Sequence, residues 1–171
     1  MAQITLKGNP IHTKGNLPKV HTLAPDFHLV DKDLSNKTLH DFQGKRKIIA
    51  TAPSLDTGVC SLMAKHFNEW AKKHPEVVIL FISADLPFAQ KRFCEKESVH
   101  NVHILSMMRD KAFGEAYGLL IQDGPLAGIL ARSVMALDEK GHVLYIELVP
   151  EIAQEPDYKK ALDAVLKGHS H

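Results

Sequence analysis

One run of seven residues, VVILFIS at positions 77 to 83, restricts the fold more than any other stretch. A strand with one face in water alternates apolar and polar side chains, whereas an unbroken apolar run of this length reads as a strand covered on both faces. That is the place of a central strand in an α/β sheet. A second β-branched run, RKIIATAPS, starts at Arg46 and is ended by Pro53. Between the two runs, Val59, Leu62, Met63, Phe67 and Trp70 recur at helical spacing, and Pro75 stops the pattern just beyond Lys73. Strand, helix, strand is thus the expected centre of the molecule.

The flanking sequence extends the alternation. The opening segments ITLKG and IHTKG predict an N-terminal β-hairpin within residues 1–16, bent at Asn9-Pro10 and added to a sheet. LPFAQKRFCEKES predicts a helix with Pro87 near its first position, VHILS (102–106) a short strand, and RDKAFGEAYG a short helix closed by Gly118. ARSVMALD and HVLYIELV flank a turn at EKG, and EPDYKKALDAVLKG predicts an amphipathic helix between Pro156 and Gly168. The predicted fold is α/β, with a mixed central sheet covered by helices on both faces, as in thioredoxin-like proteins. We expect one domain over residues 1–171, with no repeat or interdomain linker.

Charge and length narrow the partners. The 171 residues carry a net charge of +1 and no basic block, which argues against nucleic acid or an anionic membrane as the main partner. The N-terminus shows no charged region followed by an apolar one, and no apolar run approaches the roughly 20 residues that span a bilayer. A cytoplasmic protein is expected. Two cysteines are too few for a disulfide-stapled scaffold, and a chain this long buries enough surface to fold without one. Cys60 and Cys94 stand 34 positions apart, outside any close redox or zinc spacing.

Cys60 is placed where chemistry is possible, in the first turn of the helix that follows Pro53. It could be a small buried hydrophobe, half of a disulfide, a ligand or a nucleophile. A free thiol with a pKa near 8.5 is only about 3% thiolate at pH 7. The positive end of a helix stabilises an anion by ~0.3–1 kcal/mol, and by up to ~2 in partly buried geometry, so a further positive group is needed for full ionisation. Arg132, read as part of the strand ARSVMALD, is the candidate, because a guanidinium keeps its charge when partly buried and donates two hydrogen bonds at once. Its plainer fate is a surface pair with Glu139 or Glu147. Thr57 is expected to cap the helix by bonding the amide three residues on, a role that competes with any other use of its hydroxyl.

The segment PSLDTGVC contains Pro-x-x-x-Thr-x-x-Cys in Pro53, Thr57 and Cys60. With ISADLPFAQKRFC, YGLLIQDGPLAGILARSV and LVPEIAQEPDYKKALDAVL, the chain closely resembles the thiol peroxidase subfamily of the peroxiredoxins, the atypical two-cysteine bacterial members. The resemblance implies that Cys60 is the peroxidatic cysteine and Cys94 the resolving one. Thr57 and Arg132 would be the partners of the thiolate and the peroxide, and Pro53 a shield for the sulfur. It further implies an enzyme that reduces hydrogen peroxide and alkyl hydroperoxides through a sulfenic acid and a Cys60–Cys94 disulfide. Thioredoxin would be the reductant, no cofactor would be bound, and the protein would be a homodimer with GPLAG near the interface. One departure is Ala52, where the subfamily often has a large aromatic, which implies a roomier pocket floor.

A rival of another class is a redox-switched binding protein that uses the same cysteine pair without turnover. For the disulfide to form, a helix has to open, since Cys60 begins one helix and Cys94 lies inside another. The polar EKES after Cys94 marks its segment as the one to yield. The 11 histidines are scattered and gather no metal set, the His169-Ser170-His171 tail included. Met107-Met108 reads as core edge, and GPLAG follows no strand in a phosphate-loop pattern.

Overall fold

The computed structural model describes residues 1–167. Seven strands form one mixed sheet in the order β10-β9-β5-β6-β7-β3-β4. Its centre is β5 (Arg46–Thr51), β6 (Val77–Ser83) and β7 (His103–Ser106), paired in parallel, with β9 (Ser133–Leu137) and β3 (Leu29–Asp31) antiparallel on either side. The outer strands are β10 (Val143–Leu148) and the two-residue β4 (Asn36–Lys37). All seven residues of β6 are buried, as its unbroken apolar run requires.

The pleat of β6 divides the core in two. Val77, Ile79 and Phe81 face one cluster, while Val78, Leu80 and Ile82 face the other. On the first side lie α1 (Gly58–Lys73), α4 (Tyr158–Lys167) and Cys94 of α2 (Pro87–Glu97). Phe67 of α1 is fully buried there, a burial that contributes roughly 1.5–3 kcal/mol relative to an exposed ring. Tyr158 packs edge-on against it at 5.4 Å between ring centroids.

The second side departs from the expected pair of helical layers. It is covered by two short helical pieces, α3 (Phe113–Ala116) and the 3-10 turn Leu39–Phe42, and by a separate three-stranded sheet of β1 (Gln3–Leu6), β2 (Asn9–Lys14) and β8 (Leu120–Ile121). The N-terminal hairpin is therefore real but joins its own small sheet rather than an edge of the main one. Its bend also lies earlier than Asn9-Pro10. Lys7 and Gly8 form it, both at positive φ (51° and 82°), the turn whose twist matches the two strands. Pro10 sits inside β2, opposite Thr5, whose own amide bonds the Pro150 carbonyl instead.

Candidate active site

The site is assembled at the C-terminal end of β5. Thr51 ends that strand with its hydroxyl on the Ala131 carbonyl at 2.8 Å, and Ala52, fully buried, donates its amide to the Ile82 carbonyl at 3.1 Å. Pro53 is buried directly after it. Thr57 is the residue that opens α1, with extended backbone angles (φ −95°, ψ 147°), which makes Cys60 the third helical residue. The expected cap is not made by the Thr57 side chain. Its hydroxyl and its amide both bond the Ser54 carbonyl, at 3.0 and 3.2 Å, closing a local turn that takes the hydroxyl away from the helix. Thr57 itself is exposed, whereas Cys60 is 0% exposed.

Arg132 lies one residue ahead of β9 rather than within it. Two neighbours from the segment after β10 fix it: its carbonyl accepts the Val149 amide at 3.0 Å, and its Nε donates to the Ile152 carbonyl at 3.0 Å. Its Nη1 then reaches Cys60 Sγ at 3.2 Å and Met63 Sδ at 3.6 Å. The side chain is 1% exposed. The surface alternatives are engaged elsewhere, Glu139 with Arg46 at 2.7 Å and Glu147 with the Asp157 amide at 2.9 Å. A guanidinium buried this completely needs a partner for its charge, and the sulfur is placed to be that partner once ionised.

Cys94 is equally buried but differently placed. It sits eight residues into α2, and its carbonyl accepts the amides of both Ser98 and Val99 where the helix ends. Burial pushes its thiol above its ordinary value, Lys32 opposing and Glu95 adding to the effect. Both cysteines are free and belong to the same core cluster. A cleft of about 600 Å³ separates the start of α1 from α2, with Thr57, Gly58, Ser61, Phe88 and Arg92 in its walls. Neither sulfur lines it; it reaches the first turn of the helix in which Cys60 is sealed.

The structure thus brings Cys60 and Arg132 into contact, places Thr57 in the wall of the cleft, buries Pro53 at the end of β5, and leaves Cys94 a free thiol on a second helix. Sequence reasoning missed Met63, whose thioether shares the Arg132 Nη1, and Asp85, whose carboxylate holds Ser54 and Leu55. The acid just past a buried strand and two residues before Pro87 is the only trace of the latter. Met107 is buried, at the margin of the core. Among the described residues, no three or more His, Cys, Asp or Glu side chains gather as a metal site, and no helix is long and apolar enough to cross a membrane. His169 and His171 lie outside the described residues.

This arrangement, an arginine on a cysteine in a helix's first turn beside a mixed sheet, defines a class, and comparison with known proteins identifies it. The redoxin family model matches residues 19–162. A thiol peroxidase of Leptospira interrogans is 47% identical over 166 residues, covering 96% of this chain and 97% of that protein. A thiol peroxidase of Mycobacterium bovis is 50% identical over 165 residues, covering 96% and 99%. The crystal structure of a peroxiredoxin-like protein from Aquifex aeolicus superposes with a TM-score of 0.93 at 42% identity, over 99% of this chain and 98% of that one. The chain therefore belongs to the redoxin family and, within it, to the thiol peroxidases. It is an enzyme of the peroxiredoxin type, and its fold is the thioredoxin-like one of that class.

Proposed function

We propose that this enzyme reduces hydrogen peroxide and organic hydroperoxides by a two-cysteine cycle. The observation that carries the reading is the 3.2 Å contact between Arg132 Nη1 and Cys60 Sγ, with both groups removed from water. In a dry site a fixed positive charge favours an anion far more than it does in solvent. Cys60 as thiolate attacks one oxygen of the peroxide, forming a sulfur–oxygen bond as the oxygen–oxygen bond breaks. The other oxygen leaves as hydroxide or alkoxide and takes up a proton to become water or alcohol. Arg132 opposes the charge on the leaving oxygen, and the Thr57 hydroxyl, in the wall of the cleft with its proton given to the Ser54 carbonyl, presents its lone pairs as an acceptor for the incoming peroxide.

The Cys60 sulfenic acid then condenses with the Cys94 thiol, releasing water and forming the disulfide. A dithiol protein, thioredoxin, reduces it by exchange and is itself oxidised. The partner is a second copy of the chain. The stretch 124–128 supports a place at that interface, because Gly124, Pro125, Ala127 and Gly128 are all exposed. Peroxide consumption is to be followed in the presence of thioredoxin, thioredoxin reductase and NADPH. Continuous NADPH oxidation that depends on this protein is the expected result. A single oxidation to the Cys60–Cys94 disulfide without turnover would overturn the enzymatic reading in favour of a redox-switched binding protein.

A further inference from the structure

The loop after β6 holds a hydrogen-bond cluster that this reaction scheme does not use. The Asp85 carboxylate accepts three bonds: Oδ1 from the Ser54 hydroxyl at 2.7 Å, and Oδ2 from the Leu55 amide at 2.8 Å and the Ser83 hydroxyl at 2.7 Å. Two of these donors stand in the short segment between Pro53 and Thr57. Ser54 passes the constraint on, since its carbonyl carries both the amide and the hydroxyl of Thr57. One carboxylate is thereby connected, through one serine, to the Thr57 hydroxyl in the cleft wall.

Asp85 is itself anchored to the rigid centre of the sheet. Its backbone carbonyl accepts the Ser106 hydroxyl at 2.6 Å. Ser83 and Ser106 are fully buried and face each other in register across β6 and β7. Ser83 also accepts the Gln90 amide of α2 at 3.1 Å, so the cluster joins the loop of Cys60 to the helix of Cys94. An ionised acceptor makes stronger hydrogen bonds than a neutral one, and three short ones restrain a segment that has no regular structure of its own.

We propose that Asp85 is a positioning residue for the peroxide step, a statement that rests on the reaction assigned above. It touches neither sulfur nor substrate. It acts through Ser54 and Leu55, fixing residues 54–57 so that the Thr57 hydroxyl and the first turn of α1 stand where thiolate and peroxide meet.

Three variants test it: Asp85→Ala, Asp85→Asn and Ser54→Ala. In single turnover with one equivalent of peroxide, Asp85→Ala slows Cys60 oxidation about tenfold, within the loss that a misplaced positioning contact causes. The KM for thioredoxin stays unchanged. Asp85→Asn restores most of the rate, because its Oδ1 can accept from Leu55 and Ser83 while its Nδ2 donates to the Ser54 oxygen. Ser54→Ala, which removes one of the three bonds, shows a smaller loss in the same direction. An Asp85→Ala protein that oxidises as fast as the parent while melting lower would overturn the proposal, because the clamp would then be structural only. So would an Asp85→Asn protein far slower than the parent, which would place the effect in charge rather than geometry. Should Asp85→Ala not fold, Asp85→Asn and Ser54→Ala decide: loss in Ser54→Ala beside recovery in Asp85→Asn sustains the proposal, and parent-like Ser54→Ala overturns it. A parent that consumes no peroxide sinks the assigned reaction itself, whereas a reactive parent beside unchanged variants sinks the proposal alone.

Discussion

The helices that carry the two cysteines are held very differently. α1 buries Cys60, Met63, Ala64, Phe67, Asn68 and Ala71 over its length, ends on Lys72 and Lys73 at the pole that favours cations, and is followed by Pro75. α2 buries only Pro87, Gln90 and Cys94, and it ends on Ser98 in the left-handed conformation at φ 55°. The Gln90 amide donates to the Ser83 hydroxyl and to the Leu105 carbonyl, but its own carbonyl oxygen is buried without a protein partner. A buried acceptor without a protein partner offsets part of what the two bonds contribute. Cys60, the proposed nucleophile, thus stands on the more deeply packed helix and Cys94 on the less packed one, the division of labour that the proposed two-cysteine cycle requires.

The largest test of that division exchanges each sulfur for oxygen. Cys60→Ser is expected to abolish peroxide reduction, since a serine hydroxyl is not ionised beside Arg132. Cys94→Ser should allow one oxidation of Cys60 at the parent rate and then stall recycling by thioredoxin. Equal single-turnover rates in the two variants would erase the distinction between the helices.

Arg132→Lys comes next. The charge is kept, yet an ammonium cannot donate from Nε to Ile152 and from Nη1 to Cys60 in one rigid plane. Cys60 oxidation should slow about tenfold, ~1.4 kcal/mol of barrier. A lysine variant as fast as the parent would show that charge alone suffices and that the planar fork is dispensable.

A smaller effect concerns α2 itself. Oxidation to the Cys60–Cys94 disulfide should remove hydrogen-exchange protection from residues 88–98 while α1 beyond its first turn keeps its own. Cross-linking restrains the unfolded chain by roughly 4 kcal/mol in the loop-entropy description, but lost packing in α2 opposes it, so the net change in stability should be much less. Unchanged protection at 88–98, with the disulfide confirmed by mass, would show the thiols already within reach.

Patterns of apolar spacing made most of the fold legible: β5, α1 and β6 stand close to where RKIIATAPS, the Val59–Trp70 periodicity and VVILFIS placed them. What stayed hidden depends on partners far along the chain. β8 is two residues long and exists because β2 pairs with it. The hairpin bend was set by Lys7-Gly8, where positive φ at both residues outweighs the general turn preference of Asn9-Pro10. In the site, the motif residues were readable as a pattern, but the Thr57 hydroxyl donates back to the Ser54 carbonyl instead of accepting from a helix amide, a local choice that spacing does not reveal. Asp85 is 30 residues from Leu55, and only the parallel pairing of β5 with β6 makes them neighbours.

The smallest expected effect is one of pH, and it separates Cys94 from every other group. Burial holds its thiol above its ordinary value, which means that the folded protein keeps this proton more tightly than the unfolded chain does. The contribution to stability is therefore complete below the unfolded thiol's pKa of about 8.5 and is lost as pH rises from that value through the folded one. Other groups titrate in the same range, so the comparison is made within a pair, Cys60→Ser against Cys60→Ser/Cys94→Ala. Urea unfolding of both at pH 8 and pH 10 isolates the thiol. The protein that retains Cys94 should lose more stability between the two conditions, and alkylation of its single thiol should have a midpoint above pH 9. Equal losses in the pair, or a midpoint at the ordinary thiol value, would mean that water already reaches Cys94 in the folded state. α2 would then be open before oxidation, and the contrast between a fixed and a releasable helix would become one between a closed helix and an open one.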